Sequence, residues 1–149
     1  MTKIEKVLLT GKTHTVATRR PGAKVDYGRV DINLSTPNNP KGELSFPAVQ
    51  AHPTAEQLFA GAWSACFTGA LDLASQQQKV TLPEGLAVDI EVDLGMTGSA
   101  YFLQARVTVA APGLAQDVAE ALVHAAHQIC PYSKAVDGNI DVVTTVRTA

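Results

Sequence analysis

Only two cysteines occur among the 149 residues, and each sits in a word that could carry chemistry. Cys66 lies in Glu56-Gln57-Leu58-Phe59-Ala60-Gly61-Ala62-Trp63-Ser64-Ala65-Cys66-Phe67, an apolar run of helical spacing. Cys130 lies in His127-Gln128-Ile129-Cys130-Pro131-Tyr132-Ser133. There Pro131 biases the residue before it away from the helical region, so a helix should stop. Two thiols so placed could work as a redox pair. For that, one must ionise, be reachable, and find the other to close a disulfide. Periodicity alone leaves this open. By its spacing Cys66 reads first as a small core hydrophobe. Cys130 reads as a helix-end residue, or as the cap of a new short helix that opens at Pro131. Such a helix start would favour a thiolate. A Cys-x-x-Cys word is absent, which argues against a general disulfide reductase.

The rest of the chain bounds the setting. Its length fits one domain, 1–149, able to bury a core. The formal net charge is -2 with no long run of one sign, so nothing marks a nucleic-acid surface. No apolar stretch reaches the ~18 residues of a membrane span. The start, Met1-Thr2-Lys3-Ile4-Glu5-Lys6, lacks the apolar core of a signal peptide, so a cytoplasmic location is expected. Permanent disulfides are uncommon there, and transient catalytic ones are the usual exception. Two cysteines and four scattered histidines give no zinc-type spacing, and no metal or bound cofactor is expected.

The elements that must position the thiols follow from pattern. Val30, Ile32 and Leu34 alternate with polar residues and predict a half-buried strand. Turn residues at 36–42 and around His52-Pro53 predict loops. A long helix is expected from about Ala55 to about Gln78, with Leu58, Phe59, Ala62, Trp63, Cys66, Phe67, Ala70, Leu71 and Ala74 as its buried row. Its opposite face is small, and charge is nearly absent until Asp72, so the helix should be central and covered on more than one side. A hairpin is expected, with Val88 to Leu94 and Tyr101 to Val109 as strands and Gly95-Met96-Thr97-Gly98 as the turn. A second helix follows, with Leu114, Val118, Ala121, Leu122, Ala125 and Ile129 as its buried stripe. A strand over Ile140 to Val146 closes an α+β order.

Over nearly its whole length the chain resembles the organic hydroperoxide resistance branch of the OsmC/Ohr family. The words that carry the resemblance include Val30-Asp31-Ile32-Asn33-Leu34-Ser35-Thr36-Pro37, Trp63-Ser64-Ala65-Cys66-Phe67, Ala126-His127-Gln128-Ile129-Cys130-Pro131-Tyr132-Ser133 and Gly138-Asn139-Ile140-Asp141-Val142. The resemblance implies an OsmC/Ohr-like fold: an intertwined homodimer with curved antiparallel sheets around central helices and sites at the subunit interface. It also implies a thiol-dependent peroxidase for organic hydroperoxides. The cysteine matching Cys66 attacks the peroxide and becomes a sulfenic acid, and the one matching Cys130 condenses with it to a disulfide. An external dithiol, in this branch typically the lipoyl group of a lipoylated protein, then reduces the pair.

An arginine and a glutamate complete the family's site. The glutamate maps to Glu56, ten positions before Cys66. On one continuous helix that is about 15 Å, too far for contact within a chain. Either the helix breaks, an arginine bridges, or a partner chain supplies one group. Within Val16-Ala17-Thr18-Arg19-Arg20-Pro21-Gly22, ungapped counting selects Arg19, and matching the trailing glycine selects Arg20. Trp63 and Phe67 flank Cys66, as core packing or as part of an apolar pocket that favours alkyl or fatty-acid hydroperoxides. Departures from the family's pattern are Thr54-Ala55 for Asn-Pro, Gly61-Ala62 in inverted order, and Val136-Asp137 for Thr-Arg. With the altered arginine word they keep a second reading open: a redox-responsive or ligand-binding homodimer of the same fold without turnover.

Overall fold

The structure, a computed structural model, describes residues 4–16, 29–31 and 55–149. Arg19 and Arg20, Ile32 and Leu34, and the expected loops at 36–42 and 51–54 lie outside the described residues. Strand β1 (Lys6–Val16) and the short β2 (Arg29–Asp31) precede helix α1 (Ala55–Gln78). The hairpin β3 (Ala87–Thr97) and β4 (Ala100–Ala110) follows, then α2 (Gln116–Ile129), α3 (Pro131–Val136) and β5 (Asp141–Arg147).

The strands form one sheet in the order β2-β1-β3-β4-β5. Pairing is antiparallel except between β4 and β5, which run parallel from Gln104 opposite Asp141 to Ala110 opposite Arg147. The wholly antiparallel sheet expected from the family resemblance is corrected there. The chain crosses back through α2 and α3 before β5, and a helical crossover of this kind returns a strand in the same direction.

The sheet has two unlike faces, as a period of two dictates. Val88, Ile90 and Val92 of β3 and Ala105, Val107 and Val109 of β4 point at the helices and are buried. They meet Trp63, Phe67 and Leu71 of α1 and Leu122, Val123 and Ala126 of α2. The opposite face is polar. Arg106 donates to both oxygens of Asp93 and to Glu91, Lys12 pairs with Glu91, and Thr10 and Gln104 also donate to Asp93.

Three expectations about burial and turns need correction. Of the expected row of α1, Trp63, Phe67, Ala70, Leu71 and Ala74 are buried, but Leu58 and Ala62 are exposed, and the small face is covered too, with Ala60, Gly61, Ser64 and Thr68 buried. The cause of the small residues there is the closeness of β1. A Cβ on Gly11 would lie 2.5 Å from the Gln57 backbone nitrogen and 2.6 Å from the Glu56 carbonyl carbon, so only short groups fit between strand and helix. In α2 the buried stripe is Ala119, Leu122, Val123 and Ala126, with Ala121 exposed. The hairpin turn is the pair Gly98-Ser99, since Thr97 pairs with Ala100 and Gly98 has φ +56°. Gly95 belongs to the strand, where a Cβ would collide with Ile4.

Candidate active site

Cys66 sits three turns into α1, on a helix of 24 residues without a break. Cys130 is the residue between α2 and α3, extended at φ -64°, ψ 118°. Its amide still donates to the Ala126 carbonyl, and its carbonyl accepts from Lys134. Pro131 occupies the first turn of α3, so Cys130 ends one helix and caps the next. The kink drops its side chain onto α1. The two sulfurs lie 2.9 Å apart, both as free thiols. Cys66 is partly exposed and Cys130 fully buried.

Burial pushes the Cys66 thiol up, and the adjoining Cys130 adds to the rise, to about 11. The backbone N–H of Tyr132, in the first turn of α3, donates to the sulfur and pulls the other way. Among the described residues no cation acts on Cys66.

Glu56 is in the first turn of α1, 9% exposed, and its backbone lies against Gly11 of β1. With α1 continuous, about 15 Å of helix separates it from Cys66 of the same chain. The break considered from the sequence is therefore excluded, which leaves a bridging arginine or a partner chain. Arg19 and Arg20 lie outside the described residues.

Trp63 and Phe67 are both fully buried. Trp63 stacks at a tilt on Phe59, with centroids 5.8 Å apart. Its indole N–H donates to Ser133 Oγ at 3.0 Å. Ser133 Oγ lies 3.1 Å from His127 Nδ1, and His127 Nε2 lies 3.1 Å from Thr144 Oγ1. Trp63 can only donate, so Ser133 must accept there. We assign the Ser133 hydroxyl as donor to Nδ1 and Nε2–H as donor to Thr144, the arrangement of a neutral ring. Burial, reinforced by nearby His124, lowers the His127 pKa and agrees with neutrality. The imidazole also packs on Phe67, centroids 4.6 Å apart.

Sequence reasoning gave no role to Gly11, His127 or Ser133. For the last two a signal existed: each stands three residues from Cys130, one on either side. For Gly11 there was none, because its importance lies in what packs over it.

Comparison with known proteins gives the family. Residues 48–145 match the family described as OsmC-like protein. The organic hydroperoxide resistance protein of Xanthomonas axonopodis pv. citri is 35% identical over 146 residues, 98% of this chain and 99% of that one. The organic hydroperoxide resistance protein OhrA of Bacillus subtilis is 32% identical over 128 residues, 85% of this chain and 88% of its own. A crystal structure of an organic hydroperoxide resistance protein OsmC from Legionella pneumophila superposes with a TM-score of 0.61 at 33% identity, over 89% of this chain and 96% of that one. By its matched sequence, its shared fold and its relatives, this chain belongs to the OsmC family.

Proposed function

We propose that the protein is a thiol-dependent peroxidase that reduces organic hydroperoxides, and that Cys66 and Cys130 carry the chemistry. The observation that carries this reading is the 2.9 Å approach of the two thiols, with the more exposed one on the helix and the buried one behind it. The names of the relatives, resistance proteins for organic hydroperoxides, supply the substrate class.

The steps balance as follows. The Cys66 thiolate attacks the outer peroxide oxygen. An S–O bond forms, the O–O bond breaks, and the alkoxide takes a proton to leave as an alcohol. Sulfur gives up the two electrons that reduce the peroxide and becomes the sulfenic acid. Cys130 then attacks the Cys66 sulfur, the S–S bond forms, and hydroxide leaves and is protonated to water. An external dithiol, a lipoyl group in our reading, takes the disulfide over and restores two thiols. Arg19, or Arg20 in the other register, stabilises the thiolate and is oriented by Glu56. Trp63 and Phe67 back an apolar pocket for the alkyl chain. The active form is a homodimer in the cytoplasm, formed along the uncharged outer row Leu58, Ala62, Ala65, Gly69 and Leu73 of α1.

One observation favours the second reading, a redox-responsive dimer without turnover: the Cys66 thiol is pushed up to about 11, which leaves it protonated at neutral pH. Incubation with cumene hydroperoxide and dihydrolipoamide decides between them. Continuous peroxide-dependent dithiol consumption supports the peroxidase. One oxidation per chain followed by arrest supports the other.

A further inference from the structure

Cys130 is held from both sides by one polar cluster. His127 precedes it by three residues at the end of α2, and Ser133 follows it by three in α3. Both are hydrogen-bonded to each other, and through Ser133 to Trp63, which lies one turn before Cys66 on α1. The other ring nitrogen of His127 lies 3.1 Å from the hydroxyl of Thr144 in β5, and the ring packs at a tilt against Phe67, the residue after Cys66. The cluster thus joins four elements, and it grips the two residues that bracket Cys66 as well as the two that bracket Cys130. Ser133 and Trp63 are buried, and every polar atom of the cluster has a partner. Thr144 is exposed and His127 half-buried, so the buried part of the network is the Trp63–Ser133 end, where paired groups fix one geometry rather than adding much net stability.

We propose that His127 and Ser133 are positioning residues for disulfide closure: they hold Cys130 against Cys66 so that the sulfenic acid is captured by the thiol before a second peroxide reaches it. The proposal rests on the peroxidase reading for its biological sense. The closing step is attack by the Cys130 thiolate on the sulfenic sulfur, with S–S formed, S–O broken and water released. If closure is slow, the waiting sulfenic acid is oxidised further to the irreversible sulfinic acid. Loosening a supporting shell by about 1 Å commonly slows a step by up to 10²-fold.

The test compares wild type with Ser133→Ala, His127→Phe and His127→Asn. The Phe variant keeps a ring on Phe67 but loses both hydrogen bonds. The Asn amide reaches where Nδ1 stood and restores the bond to Ser133. In rapid-quench single turnover with cumene hydroperoxide, sulfenic acid formation should stay within about twofold in all four. Disulfide closure should slow roughly 10- to 100-fold in Ser133→Ala and His127→Phe. Their dimedone adduct and sulfinic acid should accumulate, and His127→Asn should recover most of the rate. Independently, titration with oxidised glutathione converts two thiols to the Cys66–Cys130 disulfide and releases two reduced glutathiones. The effective concentration it reports should fall by the same factor. Wild-type closure rate and wild-type glutathione equilibrium in Ser133→Ala and His127→Phe would overturn the proposal, as would equal slowing of both steps. If the wild type forms no sulfenic acid at all, the peroxidase reading fails, and the glutathione titration alone then decides the positioning role.

Discussion

Gly11→Ala should damage the site from its far end. Gly11 contacts the first turn of α1 with no side chain between them. A Cβ there would stand 2.5 Å from the Gln57 nitrogen, 2.6 Å from the Glu56 carbonyl carbon and 2.9 Å from the Glu56 Cβ. Ordinary contact begins at 3.4 Å, so the helix start must withdraw by about 0.9 Å. The obstacle is backbone, which has no rotamer with which to yield. Overpacking of this kind costs about 1–3 kcal/mol. For a chain of this size that lowers the melting midpoint by about 2–4 °C per kcal/mol. Because α1 is one rigid rod, the shift is largest at Glu56 and small at Cys66, three turns along. If Glu56 orients the activating guanidinium, a displacement near 1 Å should slow sulfenic acid formation by up to about 10²-fold. Disulfide closure depends on the other end of the helix and should be nearly unchanged. Rapid-quench measurement of the two steps, beside a thermal melt, reads all three quantities. A variant with wild-type midpoint and wild-type rates would refute the close-approach argument. Equal slowing of both steps would refute the claim that the displacement is largest at Glu56 and small at Cys66.

Other outcomes follow from the same geometry. Cys66→Ser should abolish peroxide consumption, whereas Cys130→Ser should still form a sulfenic acid that dimedone traps and mass spectrometry detects. Arg19→Ala should slow the reaction with hydroperoxide at neutral pH by about 10- to 1,000-fold, the one to three units that a nearby guanidinium gives. The loss should be partly recovered at alkaline pH, and Arg20→Ala should change little; the reverse pattern moves the role to Arg20. For Asp93, burial works to raise the pKa, but hydrogen bonds from Arg106, Thr10 and Gln104 outweigh it and hold the carboxyl below its ordinary 3.8. The unfolded chain therefore takes up the proton first on acidification, so stability is full above 3.8 and is lost as pH falls through the folded value. Thermal melts down to pH 3 should show a shallower acid slope in Asp93→Asn than in wild type. Analytical ultracentrifugation at micromolar concentration should find a dimer, and a monomer would overturn the assignment of the outer row of α1 to an interface.

The sequence disclosed those features that one element determines alone. The span of α1 was readable because an apolar run lacks charge from Gln57 to Leu71, and α1 indeed runs Ala55–Gln78. The short helix after Cys130 was among the alternatives, since Pro131 suits a first helical position. What stayed hidden depends on a second element. The large inward residues Trp63, Phe67 and Leu71 were legible from their spacing, but the exposure of Leu58 and Ala62 was not, nor was the close approach of β1 at Gly11 to the start of α1. Gly95 read as a turn glycine, yet it serves close approach within a strand, under Ile4. In the site, the thiols announced themselves by residue type. His127 and Ser133 did not, because their meaning comes from Trp63 and Thr144, distant in sequence.

The thiols and the charge that would make one of them reactive reside in different parts of the chain. Proximity is complete in the described residues: a 2.9 Å sulfur pair held by helices that pack on each other. Ionisation is not. With the Cys66 thiol at about 11, roughly one molecule in 10⁴ carries a thiolate at pH 7. The same burial that keeps Cys130 at hand raises the cost of charging Cys66, and a single amide N–H from Tyr132 offsets only part of it. A guanidinium would recover one to three of those decades. A protonated thiol is a poor nucleophile, so the proposed reaction needs a cation beside Cys66. In the peroxidase reading proposed above, the first step would depend on the group that delivers the charge and on the carboxylate that aims it, and the pair would fix how fast the oxidised sulfur is captured. That is why variants at Arg19 and Gly11 should alter the first chemical step, and variants at His127 and Ser133 the second.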